Sequence, residues 1–143
     1  DYAWSGIRMR VLPWTELLLE IRARVEAVCA GRRFNSVLLN QYRTGADSVS
    51  WHADDEPELG SRPFIASLSL GQERDFQLKP KPGRDLQKLA WRLTHGSLLL
   101  MGEGTQEDYL HALPKRRGLR EARPRINLTF RSVLPRDGGP QDC

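Results

Sequence analysis

Short apolar segments separated by glycine and proline turns occupy most of the chain from residue 36 onward. Eight of these segments have the length and the residue types of β-strands, and turn signals such as Gly71, Gly83 and Gly102 separate them. Many short strands with few helical stretches favour a β-sandwich or jelly roll over a parallel α/β sheet. The predicted strands span residues 36–42, 48–52, 65–70, 74–78, 89–93, 97–101, 110–112 and 126–133.

One helix is predicted ahead of these strands. Thr15 is a suitable N-cap and Gly31 is a stop signal. Apolar residues recur between them at helical spacing, namely Leu18, Ile21, Val25 and Val28. The predicted fold class is therefore mainly β with a flanking helix (α+β). A chain of 143 residues corresponds to one domain, which we place at residues 1–135, with a flexible tail at 136–143.

Composition excludes several classes of protein. No apolar run approaches the roughly 20 residues that a membrane-spanning helix needs. The two cysteines, Cys29 and Cys143, form no CxxC pair, which argues against a cysteine zinc site and indicates a reducing, intracellular compartment. The formal net charge of +4 is weak evidence for a polyanionic partner. Basic residues crowd one late segment, which is either a solvated face or a surface for such a partner: Lys115, Arg116, Arg117, Arg120, Arg123, Arg125 and Arg131.

A His-x-Asp pair provides the first candidate site. His52 ends a predicted strand and Asp54 follows two residues later, so an extended backbone directs the imidazole and the carboxylate to the same side. With one distant histidine, the pair has the composition of a two-histidine, one-carboxylate facial triad, which binds Fe(II) and leaves positions open for co-substrate and oxygen. On its own the pair is a weak signal, because it also fits a surface salt bridge at a loop.

Two histidines compete for the third ligand position. His95 precedes Gly96 in a turn between two predicted strands, where a histidine is more often a hydrogen-bonded surface residue. His111 lies in the strand-like stretch 108–114, close to the aromatic Tyr109. We therefore assign His111 as the third ligand and keep His95 as the alternative.

The last predicted strand alternates strictly between polar and apolar residues. Its residues divide into an apolar face of Ile126, Leu128 and Phe130 and a polar face of Arg125, Asn127, Thr129 and Arg131. Such a polar face is unfavourable in a core unless it lines a polar cavity, and the alternative is an edge strand with this face in water. Guanidinium groups bind carboxylates in bidentate fashion, so two arginines suit a dicarboxylate. Asn40 and Tyr42 form a similar i, i+2 pair on the first predicted strand.

In this order along the chain, the motifs resemble the AlkB family of Fe(II)/2-oxoglutarate dioxygenases. The resemblance rests on Asn40-x-Tyr42, His52-x-Asp54-Asp55-Glu56, His111 and the segment 125–131, and it extends from about Tyr2 to Val133. It points to the AlkB-type nucleic-acid demethylases, the second and third human homologues among them. The resemblance implies a double-stranded β-helix (jelly-roll) dioxygenase core. It also implies that residues 1–6 are the end of a nucleotide-recognition lid that is otherwise largely absent.

The family pattern implies roles for individual residues of this chain. The implied iron ligands, which form the catalytic centre, are His52, Asp54 and His111. The 2-oxoglutarate co-substrate is expected to chelate the iron and to be held by Asn40, Tyr42, Arg125, Asn127, Thr129 and Arg131, with either a supporting or a direct role for Asn127. The residues implied to contact the substrate base are Asp55 and Glu56 and, in the lid segment, Tyr2, Ala3 and Trp4.

The activity that the resemblance implies is oxidative demethylation of bases such as 1-methyladenine and 3-methylcytosine in DNA, with RNA as an alternative substrate. Fe(II), 2-oxoglutarate and O2 take part, and formaldehyde, succinate and CO2 are released. The expected partner is alkylated DNA, either single-stranded or with the base flipped out of a duplex. Backbone contacts are assigned to the basic segment 115–123 and to Lys79, Lys81 and Arg84. We expect a monomer that acts in the cytoplasm of a bacterium or the nucleus of a eukaryote.

Two other classes of function stay open from the sequence. One is a dioxygenase of the same fold that acts on a protein side chain or a small molecule. The match at Asp55-Glu56 and the ending Phe130-Arg131 argue against this class. The other is a nucleic-acid-binding module without turnover, which has no need of an intact iron triad and two arginines.

Overall fold

The computed structural model describes residues 2–4, 7–116 and 123–135, with side chains from residue 10 onward. The predicted flexible tail at 136–143 lies outside the described residues. The chain divides into two compact units, residues 1–34 and residues 35–143. The predicted strands all belong to the second unit.

The first unit opens with a β-hairpin that the sequence did not predict. Strand β1 (Tyr2–Trp4) pairs antiparallel with strand β2 (Ile7–Met9), and Trp4 lies opposite Ile7. Strands of three residues are too short for a polar–apolar alternation to stand out, and this explains why the hairpin is not recognisable from the sequence.

Helix α1 (Glu16–Ala27) follows the hairpin and begins at the predicted residue. The Thr15 side chain accepts a hydrogen bond from the Leu18 N–H at 3.2 Å, which satisfies one of the free donors of the first turn. The helix ends earlier than predicted. Val28, which the spacing places within the helix, is its C-cap and is 64% exposed. No helix among the described residues has the length and apolar character needed to cross a membrane.

The second unit consists of two four-stranded antiparallel sheets. Its strands are β3 (Ser36–Tyr42), β4 (Val49–His52), β5 (Ile65–Gly71), β6 (Arg74–Pro80), β7 (Leu89–Leu93), β8 (Leu98–Met101), β9 (Tyr109–Leu113) and β10 (Arg125–Arg131). The major sheet has the order β3-β10-β5-β8 and the minor sheet the order β4-β9-β6-β7. The chain crosses repeatedly from one sheet to the other, which is the topology of the predicted double-stranded β-helix, or jelly roll.

All eight predicted strands are present, and their ends agree with the prediction to within two residues. Two short elements were not predicted, a 3-10 turn at Pro57–Leu59 and helix α2 (Thr105–Asp108). A four-residue helix is too short to produce a periodic pattern in the sequence. It nevertheless matters, because it carries a side chain that reaches the candidate site.

Side chains from both sheets form one apolar core. Ile65 and Met101 from the major sheet pack with Phe76, Leu78 and Leu93 from the minor sheet, and each of these five is at most 7% exposed. Burying such a side chain contributes about 1.5–3 kcal/mol to the free energy of unfolding. This core holds the two sheets together and leaves the remaining space between them to polar residues.

Strand β10 is a central strand of the major sheet, with β3 on one side and β5 on the other. The edge-strand interpretation of its polar face is therefore excluded. The polar residues are each 1–9% exposed: Arg125, Asn127, Thr129 and Arg131. On the opposite face Leu128 and Phe130 are buried as well, whereas Ile126 is 40% exposed. A row of buried polar side chains requires polar partners, and these lie in the candidate site.

Gly71 ends strand β5 at a place where only glycine fits. Its φ is +89°, and a Cβ atom built there would lie 2.2 Å from the carbonyl oxygen of Pro124. Gly83 has a similar φ of +81°, but a Cβ atom built there would meet no other atom within 4 Å. Substituting each glycine by alanine therefore distinguishes the effect of an unfavourable backbone conformation, which both positions share, from the effect of a steric clash, which only Gly71 has.

We expect Gly71→Ala to lower the free energy of unfolding substantially more than Gly83→Ala. Placing alanine in the left-handed region destabilises both variants by about 1–2 kcal/mol, and Gly71→Ala loses roughly 1–3 kcal/mol more because the backbone must shift. Urea denaturation followed by circular dichroism measures both values. Equal losses for the two variants would contradict the close approach of Gly71 to Pro124.

Candidate active site

Two of the predicted ligands lie side by side on neighbouring strands of the minor sheet. His52 at the end of β4 is the cross-strand partner of His111 in β9, after an irregularity that begins at Val49. The centroids of the two imidazole rings are 4.1 Å apart, and the rings are inclined by 56°. Phe76 packs against His111 with ring centroids 5.5 Å apart. The apolar core therefore supports the ring of His111 from behind.

The carboxylate of Asp54 completes the group. Asp54 follows β4 and is only 1% exposed. Its Oδ1 atom lies 3.6 Å from Nε2 of His52 and 4.0 Å from Nε2 of His111. The three candidate ligand atoms lie within 4.8 Å of one another. The spacing of the residues in the sequence predicts this convergence of His52 and Asp54, and the pairing of β4 with β9 adds His111.

The chemistry of these atoms fits a divalent metal ion. Oδ1 of Asp54 is buried and has no hydrogen-bond partner in the described part of the chain, so it offers free lone pairs. Nδ1 of His52 lies 2.8 Å from the Ser50 carbonyl oxygen and donates to it in the corresponding tautomer, which directs the lone pair of Nε2 toward Asp54. Burial and the neighbouring His52 lower the pKa of His111 to about 4, so this imidazole is neutral and able to bind a metal near pH 7.

Two further side chains hold Asp54 in place. Its Oδ2 atom accepts hydrogen bonds from Nε of Arg131 at 3.1 Å and from Nη2 of the same guanidinium. Its backbone N–H donates to Oε1 of Gln106 at 2.9 Å. Gln106 belongs to helix α2, is 3% exposed, and its amide nitrogen lies 3.4 Å from the sulfur of Met101. Sequence reasoning missed Gln106 because its partner is 52 residues away and its own helix is very short.

The structure separates the two histidines that competed for the third ligand position. His95 is exposed, and its Nδ1 atom accepts the backbone N–H of Gly71 at 2.9 Å. It lies in the turn between β7 and β8 and does not join the group formed by His52 and Asp54, which takes His111 instead.

A second polar cluster surrounds Tyr42 and Arg125, which are cross-strand partners in the major sheet. Arg125 is 1% exposed, and its guanidinium carbon lies 5.0 Å from the centre of the Tyr42 ring. Nη2 of Arg125 donates to Ser69 at 2.9 Å and to Asn127 at 3.0 Å. Nε and Nη1 have no hydrogen-bond partner in the described residues. A buried guanidinium with two unused nitrogen donors, Nε and Nη1, fits a carboxylate ligand.

The rest of the predicted co-substrate set lies on the same side of the major sheet. Asn127 pairs across the sheet with Asn40, and Thr129 pairs with Leu38. The Asn127 amide donates to Thr129 at 3.2 Å and to Ser67 at 3.1 Å, while its oxygen accepts from Arg125. These bonds occupy the Asn127 side chain and agree with a supporting role. Ser67 and Ser69 were not predicted, although their alternation with Leu68 and Leu70 is a signal that could have found them.

Arg131 stands apart from the other members of the predicted co-substrate set. Its guanidinium pairs with Asp54, and both side chains are at most 6% exposed. The observed partner of the Arg131 guanidinium is therefore the carboxylate of a candidate metal ligand. A direct contact between Arg131 and 2-oxoglutarate stays a prediction.

The residues predicted to contact the substrate base have different surroundings. Asp55 has a side chain that is 65% exposed and lies 3.3 Å from the ammonium group of Lys81. Glu56 is half-buried, its Oε2 atom has no hydrogen-bond partner in the described residues, and burial raises the pKa of its carboxyl group. Residues Tyr2, Ala3 and Trp4 form strand β1, for which only the backbone is described.

The predicted basic residues are partly engaged with other side chains. Lys81 pairs with Asp55, and Arg84 lies 3.1 Å from Asp108 and 3.5 Å from Glu107. The ammonium group of Lys79 lies 4.5 Å above the ring of Trp51. In the segment 115–123, Lys115 and Arg123 are exposed and Arg116 is partly buried, whereas 117–122 lie outside the described residues.

Removing the Gln106 amide tests whether it orients Asp54. We expect Gln106→Ala to weaken Mn²⁺ binding by about 10–100-fold, because groups that orient a metal ligand have effects of that size. Isothermal titration of the metal-free protein with Mn²⁺ measures the affinity. Gln77→Ala, at a half-buried position on β6, is the matched control and should bind Mn²⁺ like the parent. Unchanged affinity in a folded Gln106→Ala protein would show that the contact to Asp54 is dispensable.

Comparison with known proteins agrees with this geometry. The model of the 2OG-Fe(II) oxygenase superfamily matches residues 1–131. The chain is 44% identical over 142 residues to the alpha-ketoglutarate-dependent dioxygenase alkB homolog 3 of Homo sapiens, covering 94% of this chain and 49% of that protein. It is 41% identical over 140 residues to the DNA oxidative demethylase ALKBH2 of Mus musculus, covering 94% of this chain and 57% of that protein.

A solved structure titled "The structure of OsALKBH1" shares the fold. It superimposes with a TM-score of 0.59 at 19% identity and covers 90% of this chain and 69% of that chain. The chain spans about half the length of the curated relatives that it matches. Because the family match covers nearly all of the described residues and includes every predicted metal ligand, the chain belongs to the 2OG-Fe(II) oxygenase superfamily.

Proposed function

We propose that this chain is the catalytic domain of a DNA oxidative demethylase that removes N-alkyl lesions of the 1-methyladenine and 3-methylcytosine type. The observation that carries the proposal is the convergence of His52, Asp54 and His111 within 4.8 Å, with a buried carboxylate oxygen free to bind a metal. The substrate class is taken from relatives that are named DNA oxidative demethylase and are 40–42% identical to this chain.

In this proposal His52, Asp54 and His111 would hold Fe(II), and a site with three protein ligands would leave room for the co-substrate beside the metal. With Fe(II) bound, the metal would supply the oxidation by O2 that converts 2-oxoglutarate to succinate and CO2 and hydroxylates the N-methyl carbon of the base. The C–N bond to that carbon then breaks, which leaves the unmodified base in the DNA and releases formaldehyde. Arg131 holds the Asp54 carboxylate so that only Oδ1 is directed at the metal. The residues of the chain thereby fix the orientation of the ligands and exclude water from the carboxylate.

The co-substrate is held deeper between the sheets. Nε and Nη1 of Arg125 bind the carboxylate of 2-oxoglutarate that does not chelate the iron, and the Tyr42 ring packs against the same guanidinium. Asn127 and Thr129 keep the Arg125 side chain extended into the pocket through the hydrogen bonds that link the three residues. Asn40 faces the same pocket from the neighbouring strand.

Recognition of the base is assigned to the two acidic residues that directly follow Asp54. Glu56 and Asp55 accept hydrogen bonds from the exocyclic amine of an alkylated adenine or cytosine, and Glu56 is the better placed electrostatically because its buried oxygen lacks a partner in the described part of the chain. Residues Tyr2, Ala3 and Trp4 contact the substrate from the lid segment. Exposed cations such as Lys115 and Arg123 contact the DNA backbone. We also propose that the protein acts as a monomer inside the cell, where its DNA substrate lies.

Formaldehyde release from a single-stranded oligonucleotide carrying 1-methyladenine tests the proposed function. With Fe(II) and 2-oxoglutarate, we expect the parent protein to release formaldehyde and to depend on both. Asp54→Ala and His111→Ala should lower the rate by more than about 100-fold, because losing a ligand exceeds the effect of losing a group that orients one. His95→Ala, the matched histidine variant, should retain release comparable to the parent.

Three outcomes would contradict parts of the proposal. Succinate formation without formaldehyde would indicate an oxygenase with a substrate other than methylated DNA. Faster release from an RNA oligonucleotide of the same sequence would favour the RNA alternative. Loss of activity in His95→Ala together with activity in His111→Ala would overturn the assignment of the metal ligands.

A further inference from the structure

Arg74 is among the most deeply buried side chains of the protein and lies outside the residues assigned to the metal, the co-substrate and the base. It is the first residue of β6 and is 1% exposed. Its Nη1 atom donates to the Thr44 carbonyl at 3.2 Å, and Nη2 donates to the carbonyls of Asp47 at 2.8 Å and Pro114 at 2.7 Å. The guanidinium thus joins the turn after β3 to the end of β9.

The positive charge of Arg74 has no carboxylate of its own. All three acceptors are neutral carbonyl oxygens, and the Asp47 side chain is bonded instead to Arg43, with its carboxylate 2.9 Å from both Nε and Nη2. Among the described residues no ion pair involves Arg74, and its Nε atom has no hydrogen-bond partner. The carboxylates of Asp47 and Asp75 act on Arg74 only at a distance, and the charge of Arg116 opposes them. A buried charge that no carboxylate contacts is costly, so a further anion nearby stabilises it.

A second buried cation lies on the same aromatic ring. The guanidinium carbon of Arg74 is 5.8 Å from the centre of the Tyr42 ring, and that of Arg125 is 5.0 Å from it. Two buried like charges therefore lie next to one tyrosine ring. Their mutual repulsion is relieved when an anion binds between the sheets. A buried ion pair such as Arg131–Asp54 does not provide this relief, because its own charges cancel.

We propose that Arg74 is a positioning residue for the co-substrate, which holds Tyr42 in place and supplies a second positive charge that makes the pocket select a dicarboxylate. The inference rests on the proposed function, in that 2-oxoglutarate occupies the pocket at Arg125. Arg74 acts through Tyr42 and through its electric field, without touching the co-substrate. The electric field of Arg74 acts on the carboxylate of the co-substrate that is remote from the metal.

The charge and the shape of Arg74 can be varied separately. Arg74→Lys keeps the charge but loses the planar group that bonds three carbonyls, whereas Arg74→Met keeps an apolar stem and removes the charge. Arg92→Met is the matched control, because Arg92 lies on the neighbouring strand β7 with a side chain that is 51% exposed and paired with Asp75. A merely structural role of Arg74 would lower stability in both Arg74 variants without changing ligand selectivity.

The test compares two ligands by isothermal titration calorimetry of the Mn²⁺-loaded protein, which requires no turnover. One ligand is 2-oxoglutarate, and the other is 2-oxopentanoate, which has the same chain length but lacks the second carboxylate. We expect Arg74→Met to weaken 2-oxoglutarate binding by about tenfold or more, as expected for losing one charge several ångströms away, and to leave 2-oxopentanoate binding almost unchanged. Arg74→Lys should retain most of the preference for 2-oxoglutarate, and Arg92→Met all of it.

Equal weakening of both ligands in Arg74→Met, or no weakening of either, would overturn the inference. Failure of the parent protein to bind 2-oxoglutarate would overturn it as well. The demethylase proposal is judged separately by formaldehyde release. A parent protein that binds 2-oxoglutarate but releases no formaldehyde would refute the proposed function, while the ratio of the two affinities would still decide the role of Arg74.

Discussion

The buried contact between Arg131 and Asp54 is the interaction on which the candidate site depends. It joins the segment after β4 in the minor sheet to the last strand of the major sheet, 77 residues further along the chain. Burying two charges is costly, and breaking such a pair by removing one partner typically costs about 3–5 kcal/mol. Here one carboxylate oxygen is bonded to the guanidinium and the other faces two imidazoles. The closure of the two sheets and the construction of a metal site therefore depend on the same side chain.

The space between the two sheets has different net charge at its two ends. At the candidate metal site, Arg131 balances Asp54, and burial keeps the pKa of His111 low enough for a neutral imidazole. Around Tyr42, by contrast, Arg74 and Arg125 leave an excess of positive charge. One end of the space between the sheets thus suits a cation and the other suits an anion. A ligand that chelates the metal and carries a remote carboxylate matches both ends at once.

The sequence predicts the strands and the polar face of β10 well. The alternation of polar and apolar residues is visible in a few consecutive residues, and it follows directly from which face of a strand is buried. The sequence also predicts that His52 and Asp54 converge, since both lie on a few extended residues. It does not reveal Gln106 or Arg74, because their partners lie 27 to 52 residues away and are defined by strand pairing. For the same reason the sequence does not reveal the contact between Arg131 and Asp54, which lie 77 residues apart.

The most direct measurement is anomalous diffraction from crystals of this chain grown with Mn²⁺ and 2-oxoglutarate. An anomalous peak within bonding distance of Oδ1 of Asp54 and of Nε2 of both His52 and His111 is the predicted result. Density for the remote carboxylate of 2-oxoglutarate should lie against Nε and Nη1 of Arg125. A peak bound by His95, or an Asp54 carboxylate that leaves Arg131 and does not bind the metal, would contradict this description of the site.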